Sequence, residues 1–153
     1  MAGRHRAAQA EISGVLMFDD VVTVINHYYD AVTREDKFNA TVLNGDCMWR
    51  EKTEKTVAND RLQVAKSISL TILYRSGYIE PEQYIKLSND EKSKYFTLNA
   101  NDNMDFIVLG SVSGISDYAS IQNMKKKYRW ATIASVSDNT MVDGLRHWKV
   151  TGR

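Results

Sequence analysis

The stretch DVVTVINHYY, residues 20–29, alternates in the manner of a β-strand. Val22, Val24, Asn26 and Tyr28 share one face, while Val21, Thr23, Ile25, His27 and Tyr29 share the other. Val, Ile, Thr and Tyr suit a pleated, half-buried surface. A second stretch, KSISLTILY at residues 66–74, repeats the pattern. There Ile68, Leu70, Ile72 and Tyr74 oppose Ser67, Ser69 and Thr71. One apolar and one polar face predict an antiparallel strand with one side on a core.

Working outward, DAVTREDKFNA reads as a polar turn region, and TVLNGDCMWREK carries the next strand. Asn44-Gly45 interrupts that strand and predicts a hairpin or a bulge. Residues 51–65, EKTEKTVANDRLQVA, are polar with little periodicity and read as a long loop. Connections of that length are usually functional or mobile. The mixed stretch 75–104 holds the single proline, Pro81, and short extended pieces are expected around Tyr84–Leu87 and Tyr95–Leu98. DFIVLGS, residues 105–111, is a compact strand ending at Gly110. ISDYASIQNMKKKY then changes period, so that Tyr118, Ile121, Met124 or Lys125, and Tyr128 share a helical face behind an N-cap at Ser116. Lys125, Lys126 and Lys127 complement the dipole of its last turn. RWATIASVSD, with Trp130, Thr132, Ala134 and Val136 on one side, and GLRHWKVTGR are the closing strands. The expected architecture is mainly β: a small antiparallel barrel or sandwich of six to eight strands, with one packed helix and a long polar loop.

The chain has 153 residues, enough for one domain with a real core. With 43% hydrophobic and 25% charged residues it has the profile of a soluble globular protein. A net charge of +1 supplies no global field towards nucleic acid or membrane. Residues 1–16 are small, polar and basic, with Arg4, His5 and Arg6 and no apolar signal-peptide core. They are expected to be a flexible leader or an arm that orders on a partner, with the domain running over 17–153. No apolar run reaches the roughly 20 residues of a membrane helix, so a cytoplasmic product is expected.

No catalytic constellation is legible. Cys47, the only cysteine, lacks a local cysteine-hydrolase signature and reads as a packed strand residue. His5, His27 and His147 are far apart in sequence, and no metal-ligand spacing occurs. Asp19, Asp20, Asp102 and Asp105 read as loop and strand-edge charges, and NANDNMD lacks the spacing of a calcium loop. No phosphate loop or dinucleotide fingerprint is present. No metal and no cofactor are expected, and the chain does not read as an enzyme.

At MFDDVVTVINHYYD, TREDK, TVLNG with Trp49, DFIVLG, ASVSDN and HWKV, in that order over residues 17–150, the chain resembles small structural proteins of tailed bacteriophages and prophages of Gram-positive bacteria. The order of elements is similar to that of head-completion proteins of the phage neck. The resemblance implies a β-barrel whose copies form a ring joining portal to tail, made in the host cytoplasm and residing in the virion neck. The implied partners are copies of itself, portal or adaptor proteins, tail proteins, and packaged DNA passing without sequence recognition; a membrane is not among them. The long loop would face the channel, placing Glu51, Lys52, Glu54, Lys55, Asp60 and Arg61 there, three acids against three bases. Near-neutral lining would let DNA slide. Arg4, His5 and Arg6 would belong to an assembly arm.

Other readings stay open at this point. The chain is alternatively a tail terminator or minor capsid protein of the same particle. It is alternatively a nucleic-acid-binding barrel using Lys125, Lys126, Lys127 and Arg129, or a small hydrolase or nucleotide-binding barrel using Cys47 or His147.

Overall fold

The computed structural model describes residues 18–58 and 61–153, the side chains of 54, 56, 58 and 61–65 excepted. Its strands are β1 (Asp20–Asp30), β2 (Glu35–Ala58), β3 (Arg61–Leu73), β4 (Phe106–Leu109), β5 (Trp130–Asn139) and β6 (His147–Gly152). They pair antiparallel in the order β1-β2-β3-β6-β5-β4 and close through β1 and β4. The expected mainly-β class is thus a closed barrel, and closure removes the open edges of the sheet. Among the described residues three helices accompany it: α1 (Pro81–Tyr84), α2 (Asn89–Lys92) and α3 (Tyr118–Lys127). None of the described helices is long and apolar enough to cross a membrane.

The alternation of DVVTVINHYY sorts its side chains between two cores. Val22 and Val24 point into the barrel with Leu43, Cys47, Ile68, Leu70, Ile72, Ile107, Ala131, Ile133, Trp148 and Val150. Ile25 points outward, to a second cluster with Phe38, Phe106, Val108, Val112 and the α3 residues Ile121 and Met124. The helix therefore covers the outer face of β1, β2 and β4. Tyr118 and Tyr128, expected on its packed face, are instead exposed, because the buried stripe is only Ile121 and Met124. The cap is Asp117, one residue beyond the expected Ser116, and its side chain accepts from the Ser120 amide at 3.0 Å.

Asn44-Gly45 proves to be a bulge. One step along β1, from Asp20 to Val21, is matched by three along β2, from Cys47 to Asn44. Gly45 at φ +84° and Asp46 at φ +59° supply the left-handed conformations it needs. The bulge returns Cys47 to the interior face, in phase with Leu43.

On β5 the two sides of the strand meet different cores. Ala131 and Ile133 face the interior, whereas Trp130 packs in the outer cluster. A register shift between Ile133 and Ser135 then brings Val136 towards the interior. The small residues are required: a Cβ on Gly152 would lie 2.6 Å from Ala131 Cβ and 3.2 Å from Ile107 Cδ1. Gly152→Ala is therefore expected to destabilise the barrel by about 1–3 kcal/mol through overpacking. Urea unfolding checks this, and an unchanged midpoint would contradict the close approach.

Tyr84–Leu87 is helix and turn in place of the extended piece expected there, whereas the expected piece at Tyr95–Leu98 carries a β-bridge from Phe96 to Tyr78. Pro81 starts α1 at its first turn, where its missing N–H costs nothing. Ser88 and Glu91 form a reciprocal capping box on α2. The chain then returns beside Gly77, with Phe96 N donating to Gly77 O at 2.9 Å and Ile79 N to Phe96 O at 3.0 Å. Phe96 and Leu98 enter the interior cluster.

Candidate functional site

The polar stretch 51–65 is not a loop. β2 and β3 stay paired from Cys47–Ile72 out to Ala58–Arg61. β1 accompanies β2 only to Cys47, and β6 accompanies β3 only from Ile68 onwards. Beyond those points the two strands pair only with each other among the described residues, as a two-stranded ribbon. Lys52 to Ala58 at about 3.3 Å per residue gives it a reach of roughly 20 Å. A ribbon without a core face needs no apolar alternation, since its backbone ladder holds it. This is why its sequence resembles a loop.

The channel candidates therefore take new places. Glu51 lies at the ribbon base, Lys52, Glu54 and Lys55 on its outgoing strand, and Arg61 at the start of the returning one. Asp60 lies outside the described residues, as do the arm candidates Arg4, His5 and Arg6. Lys52 and Lys55 are exposed.

Glu51 is a fastening and not a lining residue. Its Oε1 accepts from Lys66 Nζ at 2.6 Å. Its Oε2 accepts from Trp49 Nε1 at 3.0 Å and Arg129 Nη1 at 3.1 Å. Asp20 Oδ2 accepts from the Trp49 amide at 2.8 Å. The ribbon base is thus tied to β1, to β3 and, through Arg129, to the α3–β5 junction. The Lys66 hydrogen bond, then those of Trp49 and Arg129, hold the Glu51 carboxyl down at about 2 against a usual 4.5. A carboxylate lowered on folding stabilises the fold above its ordinary value. That contribution disappears as pH falls from 4.5 through about 2. With Lys66 and Arg129 largely exposed, Glu51→Gln is expected to cost only about 1 kcal/mol at pH 7. The difference in Tm between the two proteins should close as the pH approaches 2; a constant difference down to that pH would contradict the ion pairing.

Cys47 is fully buried inside the barrel, and burial pushes its thiol up to about 12. Neither strand histidine serves it: both ring nitrogens of His27 meet carboxylates, and His147 Nδ1 meets Leu145 O. The basic cluster is partly engaged too. Lys125 Nζ lies 4.5 Å from the Trp130 ring centre and 4.8 Å from that of Phe106, and Arg129 is held by Glu51.

A second constellation escaped the sequence reading. At the end of β1, His27 is bracketed by two carboxylates, Asp102 Oδ2 at 2.7 Å from Nδ1 and Asp36 Oδ1 at 2.8 Å from Nε2. Burial depresses its pKa, but the hydrogen bonds and charges of Asp36 and Asp102 outweigh burial and raise it. Asp105 is buried beside it. Its Oδ1 accepts from His27 N at 3.2 Å and its Oδ2 from Asn26 Nδ2 at 3.0 Å. Both donors are neutral, and burial lifts the Asp105 carboxyl to about 7. One ligand atom from each of His27, Asp102 and Asp105 lies within 4.8 Å of the others. A cleft of about 290 Å³ opens onto these three residues, walled by Tyr28, Tyr84 and Ile85. Lys92 lines it as well, its Nζ held by Leu87 O and lying over the rings of Tyr28 and Tyr84. Asp102 and Asp105 follow His27 by more than 70 residues, so only strand pairing unites them. The sole sequence signal was a histidine set between Asn26 and Tyr28 within a strand.

The chain belongs to a family of unknown function, DUF6751, which matches residues 17–153. No curated protein and no solved structure matches it.

Proposed function

We propose that this protein is a structural assembly component of a tailed bacteriophage particle, a head-completion connector whose copies form a ring between portal and tail. The observation that carries the reading is the β2–β3 ribbon, projecting from a closed barrel and tied at its base by Glu51. The ordered resemblance along residues 17–150 supports the same assignment. A ribbon unpaired on its flanks offers backbone donors and acceptors to neighbours, as ring subunits require. Val57, 75% exposed near the tip, adds an apolar contact for such a neighbour. In the ring, the ribbon takes the channel-facing role that the resemblance assigned to a loop. Lys52, Glu54, Lys55 and Arg61 then approach the DNA, while Glu51 keeps its ties to the barrel. The role needs no bound cofactor and no catalysis.

Replacing residues 54–65 with an Asn-Gly turn tests this reading, since such a turn joins two antiparallel strands tightly and leaves the partners Thr53 and Lys66 beside it. The shortened chain should fold with a Tm close to the parent's, and particles carrying it should lose packaged DNA. Particles that retain DNA as well as the parent would contradict the proposal.

A further inference from the structure

We propose that His27, Asp102 and Asp105 form a binding site for a divalent transition-metal cation of the zinc class. This inference is independent of the connector reading. The ligands come from two elements, β1 and the segment entering β4, and converge where the cleft opens. Asp36 and Asp102 bracket the His27 imidazole and Asp105 accepts from its backbone amide, so negative charge remains in excess even when His27 is protonated. Asp105 is only 1% exposed and its donors, the Asn26 amide side chain and the His27 backbone amide, are both neutral, the environment in which a metal ion relieves a desolvated anion.

Each ligand already has an orienting partner, as bound metals require. Asp36 holds His27 Nε2, leaving Nδ1 towards Asp102. The Met104 amide donates to Asp102 Oδ1 at 2.9 Å, and Asn26 and the His27 amide hold Asp105. On binding, the Nδ1 proton leaves to solvent and its lone pair enters the coordination shell. Zinc–ligand bonds of about 2.0–2.2 Å at tetrahedral angles place ligand atoms about 3.3–3.5 Å apart. The Nδ1–Oδ2 pair must therefore open from 2.7 Å by a fraction of an ångström, while Asp105 closes in from within 4.8 Å. Three protein ligands leave a fourth position, which the cleft makes available to water. An imidazole among the ligands favours zinc-like cations over calcium or magnesium, which take oxygen.

The test is calorimetric titration of the chelator-treated full chain with zinc chloride. We expect one ion per chain with a Kd at or below about 10 µM. Asp36→Asn should weaken binding about 10–100-fold by removing an orienting partner. His27→Ala and Asp102→Asn should abolish it, and the His5→Ala/His147→Ala variant should bind like the parent. The unaltered chain gives a readout free of folding defects: zinc should shift the ring NMR resonances of His27 and not those of His147. No stoichiometric binding up to about 1 mM zinc, or a response at His147 in place of His27, would overturn the proposal.

Discussion

Trp148→Ala is expected to lower stability by about 3–5 kcal/mol, the range for emptying a buried aromatic site. Trp148 is 1% exposed on β6 and is the hub of an aromatic group. Its ring centre lies 4.6 Å from that of Tyr78, 5.7 Å from Tyr74 and 6.4 Å from Phe96. Those partners come from the end of β3 and from the 77–104 segment, so the loss affects both the barrel and the chain folded over it. The indole Nε1 is buried without a hydrogen-bond partner. Trp148→Phe should therefore cost much less, since it keeps a ring and removes an orphaned donor. Urea unfolding of the two variants checks both statements. A Trp148→Ala cost under about 1 kcal/mol, or equal costs for the two variants, would contradict this account of the core.

Asn26→Leu should have a comparable effect by a different route. Asn26 is fully buried and acts as a splice between β1 and residue 97. Its Nδ2 donates to Thr97 O at 2.8 Å and to Asp105 Oδ2 at 3.0 Å, and its Oδ1 accepts from Thr97 N at 3.1 Å. Leucine has similar volume but leaves three buried polar groups without those bonds. At about 1–3 kcal/mol for each orphaned group, a total of roughly 3 kcal/mol or more is expected. Hydrogen exchange gives the local signature. The Thr97 amide should lose its protection, whereas amides in the β5–β6 pair should exchange faster only to the extent that global stability has fallen. A Thr97 amide as protected as in the parent would show that the splice is not needed.

How far the sequence revealed this fold depends on where its strands face. DVVTVINHYY and KSISLTILY were legible because each has one face on a core. The ribbon was not, because over residues 53–58 and 61–65 β2 and β3 pair only with each other among the described residues, and a two-stranded ladder imposes no apolar alternation. Which side of β5 meets the interior was not legible, because its interior positions hold Ala131 and Ile133 opposite Gly152, a close approach that selects small side chains over Trp130. The α2 signal, Ser88 with Glu91 three residues on, was present in the sequence, but the tyrosines around it suggested extended chain. Of the candidate site, the charged residues at 51–61 were identified by type and misplaced in structure. The His27 group was not seen at all, since Asp36, Asp102 and Asp105 reach it through a turn and through barrel closure. Local pattern does not encode such long-range pairing.

The most direct measurement for the central claim is immunogold labelling of particles released by the producing cells, with antibody against this chain. The connector reading predicts gold at the head–tail junction. Particles without gold there, with the epitope shown to be accessible, would contradict it.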